Sequence, residues 1–192
     1  MAKIAKELKE AICQMPPKEK DKILLRLIAK DEMLIARLEH ELFGDENETR
    51  ALAEEIKEDI DRVMNYNHDT PGWLMMAMRS INGDITRHVK ITKDKIGEIE
   101  LTLYLLSQTF QKQKDFLEKY AYRADKFGGY VCKRTDTVLK KIIKLHSDLQ
   151  FDYKNDVEFI LDFLHTSKAT QADAVLQKIP TDWEDFLEKY GK

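Results

Sequence analysis

Apolar residues recur every three to four positions along almost the whole chain, which is the period of an α-helix that hides one face. Ile4, Leu8, Ala11, Ile12 and Met15 mark a first helix. Pro16–Pro17 ends it and opens the next, because proline has no N–H for a helix interior yet fits the first turn. A second helix carries Ile23, Leu24, Leu27 and Ile28, and a third, after Lys30–Asp31, carries Leu34, Ile35, Leu38 and Leu42, with Gly44 as the glycine that closes it. Asp45 or Asn47 caps a fourth helix with the stripe Leu52, Ile56, Ile60 and Val63. Thr70–Pro71 starts a fifth with Leu74, Met78, Ile81, Ile85 and Val89, which Asn82-Gly83-Asp84 would interrupt. A long sixth helix is predicted from Asp94, with Ile96, Ile99, Leu103, Leu106, Phe110 and Leu117 on one seam.

Phe127-Gly128-Gly129-Tyr130 reads as a breaker and sharp corner. After it the pattern predicts a seventh helix through Val131, Val138, Ile142, Leu145 and Leu149, an eighth through Val157, Ile160, Leu161 and Leu164, and a ninth through Ala172, Val175, Leu176 and Ile179. A tenth opens with the capping box Thr181-Asp-Trp-Glu184. The reading is an all-α array of antiparallel helical hairpins with nine or ten helices, as an irregular bundle or mildly superhelical. It is one domain over 1–192, with 128–129 as the place where two lobes would divide. Asp115-Phe-Leu-Glu-Lys-Tyr120 returns as Asp185-Phe-Leu-Glu-Lys-Tyr190, but little else matches at that offset, so common helix-end chemistry is favoured over a duplicated unit.

Composition agrees with helices. Of 192 residues 43% are hydrophobic and 35% charged, with only 7 Gly and 4 Pro, too few turn residues for a many-stranded fold. A net charge of −3 supplies no whole-molecule field for nucleic acid or a membrane. Cys13 and Cys132 share no motif spacing and fall in helical patterns, which predicts reduced thiols. No apolar run approaches the roughly 18 residues of a membrane span, and the start of the chain lacks the pattern of a signal peptide, so a soluble cytoplasmic protein is expected.

Few residue groups suggest a reaction. Glu54-Glu55-Ile-Lys-Glu58 resembles the Glu-Glu-x-x-Glu half of the metal site in all-α nucleotide pyrophosphohydrolases, a resemblance that implies Mg²⁺ held by Glu54, Glu55 and Glu58 against a substrate's phosphates. The family's second half, a Glu-x-x-Asp on the following helix, is missing, since residues 71 to 91 contain only Asp84 as an acid. At 100° per residue Glu54, Glu58 and Asp61 also lie opposite the apolar stripe of the acidic helix 45–66, which points them at water. His40, His68–Asp69 and Asp125 resemble the ligand set of HD-type phosphohydrolases, which would likewise imply metal-dependent hydrolysis. Asn67-His-Asp-Thr-Pro71, however, is explained as a turn and helix cap before a proline, which is favoured over the metal reading on such loose spacing. Asp84 and His88 at i, i+4 have no partner pair, and His88 is expected in the core with its hydrogen bond satisfied. His146 is placed on the apolar side of the seventh helix, and His165 at a helix end.

Charge is distributed unevenly. Glu39 to Asp61 holds ten acidic residues against Arg50 and Lys57, whereas Lys119 to His146 holds eight basic residues against Asp125 and Asp136. Lys133, Lys140 and Lys144, with Arg134 and Lys141 beside them, form a basic stripe that reads first as a solvated face or one packed against the protein's own acidic helix, and otherwise as a surface for an acidic protein partner or nucleic acid. Trp73-Leu-Met-Met-Ala-Met78 is apolar nearly all round, because Met75 and Met76 leave the stripe, so it is either central or sticky. The expected binding surface is therefore Trp73, Met75, Met76, Phe127 and Tyr130.

The sequence thus favours a non-enzymatic helical protein–protein interaction or scaffold module. It is expected to need no cofactor, to act with a protein partner or by self-association, and to have no membrane contact. The alternatives are a Mg²⁺-dependent nucleotide phosphohydrolase and, third, nucleic-acid binding through the basic helix.

Overall fold

The computed structural model describes residues 4–191. Among the described residues it is all-α, with no strand. The chain divides into two compact units, Met1–Asp45 and Glu46–Lys192.

The first unit contains α1 (Lys6–Gln14), α2 (Pro17–Ile28) and α3 (Glu32–Phe43). Each boundary follows from local chemistry. Pro17 sits at the first position of α2, and the Asp31 carboxylate accepts from Leu34 N–H at 3.1 Å to cap α3. Gly44 does follow α3, but in an extended conformation (φ −74°) that any residue adopts, so glycine is not required there. No residue of this unit is buried among those described.

The second unit contains α4 (Glu46–Met64), α5 (Pro71–Thr92), α6 (Lys95–Lys112), α7 (Lys114–Lys119), a 3-10 turn (Ala121–Arg123), α8 (Asp125–Ile142), α9 (Ser147–Asp152), α10 (Lys154–Thr166), α11 (Gln171–Leu176) and α12 (Trp183–Tyr190). Helices α4, α5 and α6 pack on one another, α8 lies against α5 and α6, and α10 packs on α6. Short α11 and α12 close over α8 and α10. The two-residue link Lys93–Asp94 forces α5 and α6 antiparallel; Lys93 takes the left-handed conformation (φ 60°) and the Asp94 carboxylate caps α6 through Gly97 N–H at 2.8 Å.

The central element is α6, whose Leu101, Thr102, Leu103, Leu105, Leu106, Ser107, Thr109 and Phe110 are all buried. Two of its three buried hydroxyls are satisfied within the helix, Thr109 donating to the Leu105 carbonyl at 2.7 Å and Thr102 to that of Glu98 at 2.7 Å, whereas Ser107 Oγ has no hydrogen-bond partner.

Four expectations about breaks are corrected by the structure. Asn82-Gly83-Asp84 interrupts nothing: α5 runs through it, with Gly83 on the open side. The sixth helix does not reach Leu117. It stops at Lys112, because buried Gln113 turns its amide onto the Met64 and Tyr66 carbonyls at 2.6 and 3.2 Å, satisfying the exposed end of α4 at the cost of helical continuity.

The double glycine is not a corner either. Gly128 and Gly129 lie inside α8, and the chain turns before it, through residues 120–124. Gly128 is needed for proximity rather than flexibility: a Cβ there would stand 2.7 Å from the Ala169 carbonyl oxygen. Finally, the predicted seventh helix ends at Ile142, and Leu149 belongs to exposed α9. The cap of the last helix is shifted by one residue, with Asp182 accepting from Asp185 N–H at 2.9 Å.

Both copies of the repeated hexapeptide end short helices and place Phe and Tyr one turn apart with tilted rings: Phe116–Tyr120 at 5.1 Å and Phe186–Tyr190 at 5.9 Å.

Candidate functional site

The predicted binding surface is split by the fold. Trp73 (64% exposed) and Met76 (52%) stand on the outer side of α5, while Met75 and Phe127 are core residues. Phe127 is inside because α8 starts at Asp125, which puts residue 127 in its first turn rather than in a loop. Tyr130, half-buried, lies between α5 and α8.

Around Tyr130 the two helices build a polar cluster. Asn82, buried on α5, reaches across to it. With the amide oxygen facing Arg134, as the guanidinium donors require, the oxygen accepts from Arg134 Nε at 2.7 Å and from the Tyr130 hydroxyl at 3.2 Å. Arg134 also lies against the Tyr130 ring, 5.6 Å from its centroid, and Arg79 of α5 lies 5.3 Å from the same centroid. Neither arginine forms an ion pair with a carboxylate among the described residues. Glu98 is in the neighbourhood but is engaged by Lys141. Periodicity alone could not single out this group, since Arg79 reads as an ordinary helix-face residue and Asn82 as part of a helix break.

The basic stripe is accordingly less available than its spacing implied. Lys140 pairs with Asp136 at 2.6 Å and lies over the Tyr190 ring, Lys141 pairs with Glu98, and Arg134 turns toward Asn82. Only Lys133 and Lys144 of the five are exposed and outside any ion pair among the described residues. Burial opposes ionisation of Asp136, but hydrogen bonds from Lys140 and Tyr190 outweigh it and hold the carboxyl below the usual aspartate range.

Glu54, Glu55 and Glu58 are all exposed, and Glu54 accepts from Lys57 at 3.2 Å. Asp61, expected to point at water, instead accepts the Tyr104 hydroxyl at 2.8 Å. Burial, then this bond, push the Tyr104 phenol up to about 12. Among the described residues no three His, Cys, Asp or Glu side chains come together in a group that could hold a metal ion. His68 bonds the Val63 carbonyl through Nε2 at 3.1 Å, as a turn residue does, and Asp69 and Asp125 are exposed.

His88 lies in the core and His165 in the last turn of α10, as expected, but His88 lacks the expected hydrogen bond and His146 is not on an apolar helix face. His88 is buried with both ring nitrogens lacking a hydrogen bond; Asp94 Oδ2 approaches Nε2 only to 3.6 Å. The same residue borders a cavity of about 150 Å³ with Leu52, Glu55, Ile56, Asp84, Arg87 and Ile91. His146 is exposed and caps α9. His165 Nε2–H donates to the Ile179 and Pro180 carbonyls at 3.2 and 3.0 Å, tying α10 to the segment before α12.

The second feature that stands out lies in the first unit. Leu8, Leu24, Leu25, Leu27, Leu42 and Phe43 are each more than half exposed, on helices whose other faces carry lysine and glutamate. Burying one such side chain is worth about 1.5–3 kcal/mol. A helical unit that leaves six of them in water has the make-up of a contact surface.

Among the described residues no helix is long and apolar enough to cross a membrane. The thiols differ sharply: Cys13 is exposed on α1, while burial, then the nearby Asp173 charge, push the Cys132 thiol up to about 12. No protein-family model, curated protein or solved structure matches the chain.

Proposed function

We propose that the protein is a non-enzymatic helical interaction module that assembles with a second copy of itself through α1–α3. The observation that carries this reading is the first unit, which has amphipathic helices, exposed leucines and no buried residue among those described. Charge supports a second copy as the occupant. Residues 4–30, which span α1 and α2, hold seven basic and four acidic side chains, whereas residues 31–45, which carry α3, hold five acidic and one basic. Each chain therefore offers both an apolar basic surface and an acidic one, the self-complementarity that a two-fold interface requires.

The test is light scattering of the full chain across concentration and salt. A dimer at micromolar concentration is expected, weakening as salt rises. Leu24→Asp with Leu27→Asp is expected to leave a monomer, since two charges placed in an apolar contact forfeit several kcal/mol of association. The thermal transition of the Glu46–Lys192 core should be unchanged. A chain that is monomeric at every concentration and salt sinks the proposal.

A further inference from the structure

Along α5 the outward positions fall on one line. Trp73, Met76, Ser80, Gly83 and Arg87 follow one another at steps of three and four residues, within about 80° of one another around the helix, and every one is exposed. Buried Leu74, Met78, Ile81 and Ile85 hold the opposite side of the helix in the core. The line has three parts. It starts with Trp73 and Met76, two large apolar side chains one turn apart that are each more than half exposed. Its middle is Ser80 and Gly83, and a Cβ placed on Gly83 would meet nothing within 4 Å, so a second backbone can come close there. Its end is basic. Arg87 lies on the line, Arg79 and Lys90 flank it on one edge, and Asp84 stands on the other. Arg87 and Lys90 form no ion pair among the described residues, so their charge is available to a partner.

We infer that this side of α5 binds an acidic amphipathic helix of another protein. A tryptophan and a methionine held in water at helical spacing, next to a low stretch of backbone, give a second helix both anchors to cover and a place for close approach. From Trp73 to Lys90 the face is roughly 25 Å long at about 1.5 Å per residue, enough for a helix of about four to five turns. The partner's apolar stripe covers Trp73 and Met76, and carboxylates along its edge meet Arg79, Arg87 and Lys90. Charge selects this occupant. A second copy's α5 would set the same three cations against these three. The acidic α3 of a second copy is already matched to α1 and α2 in the proposed self-association. A lipid surface would need a far larger apolar area than two side chains provide. The face belongs to the Glu46–Lys192 unit and does not depend on α1–α3 assembling.

The experiment is acrylamide quenching of tryptophan fluorescence in the full chain. Trp73 and Trp183 are its two tryptophans, and Trp183 is buried, so the quenchable signal reports Trp73. The probes are a peptide of about 18 residues with a leucine stripe edged by glutamate, the same stripe edged by lysine, the chain's own residues 31–45, and a single-stranded oligonucleotide. Saturable protection of Trp73 is expected with the glutamate peptide at micromolar concentration, and it should weaken as salt rises. The lysine peptide should bind at least about tenfold more weakly. Gly83→Leu adds bulk on an open helical face, so the fold is retained while the approach is blocked, and binding should fall about tenfold or more. Arg87→Glu with Lys90→Glu should have a similar effect and flatten the salt dependence. Leu24→Asp with Leu27→Asp should bind the peptide like the parent, which separates this site from the proposed self-association.

The inference is overturned if the glutamate peptide leaves Trp73 open to acrylamide, if the lysine peptide protects it equally, or if Gly83→Leu binds like the parent. Loss of binding in the Leu24, Leu27 variant would place the peptide on the first unit and overturn it as well. Tightest binding by residues 31–45 would make a second copy the occupant, and protection by the oligonucleotide alone would make it a nucleic acid; either result also overturns the assignment.

Discussion

Phe110→Ala is expected to destabilise the Glu46–Lys192 unit by about 3–5 kcal/mol. The melting midpoint should fall by roughly 10 °C. Phe110 is completely buried on the central helix α6, and its ring stacks on Phe163 of α10 at 4.2 Å with the planes within 8°. Removing it therefore forfeits a large apolar burial and a ring pair worth about 0.5–1.5 kcal/mol beyond area. It also breaks the floor of a cleft of about 500 Å³ that Lys114, Glu118, Phe159 and Asp162 border. Phe159, more than a third exposed on the rim, is the control, and Phe159→Ala should cost under about 1 kcal/mol. Urea unfolding followed by circular dichroism measures both. Equal losses at the two positions would mean that α6 and α10 do not meet through Phe110.

The second large effect concerns the neighbouring glycines of α8, which should respond with opposite signs. At Gly128 an added Cβ lies 2.4 Å from Asp173 Oδ2 and 2.7 Å from the Ala169 carbonyl oxygen. The carboxylate can swing aside; the backbone carbonyl cannot, so the segment leading into α11 has to retreat. Gly128→Ala is therefore expected to cost about 1–3 kcal/mol. At Gly129 the nearest group is Asp173 Oδ1 at 3.4 Å, an ordinary contact, and alanine there should stabilise by about 0.5–1 kcal/mol through helix propensity. Thermal melts of the two variants decide it. Two stabilised proteins would show that α8 and α11 are farther apart than described.

The glycine pair shows how far sequence reading carries. The helices themselves were legible, because burial of one face imposes a period on Leu, Ile and Val, and because Thr70–Pro71 and Asp94 cap by local chemistry. The breaks were not. A glycine pair signals either a turn or a close approach of backbones, and only the position of α11 tells which. Gln113 gave no warning for a related reason: its role is to satisfy carbonyls of α4 nearly fifty residues earlier in the chain. The same holds for the cluster at Tyr130. Arg79 and Asn82 sit on one helix and Tyr130 and Arg134 on another, so their meeting is a property of tertiary packing. The apolar pattern of the first three helices predicts burial, yet an amphipathic stripe states that a face seeks cover without stating whether its own chain provides it.

The two thiols have a practical corollary. Cys13 stands open on α1, whereas Cys132 is enclosed in α8 with its proton held tightly. In the folded molecule a maleimide dye should therefore attach at one address, on the first of the helices proposed to associate, and mass spectrometry should find Cys132 unmodified until denaturant is added. The native protein thus carries a built-in attachment point from which fluorescence anisotropy can follow assembly without an engineered residue.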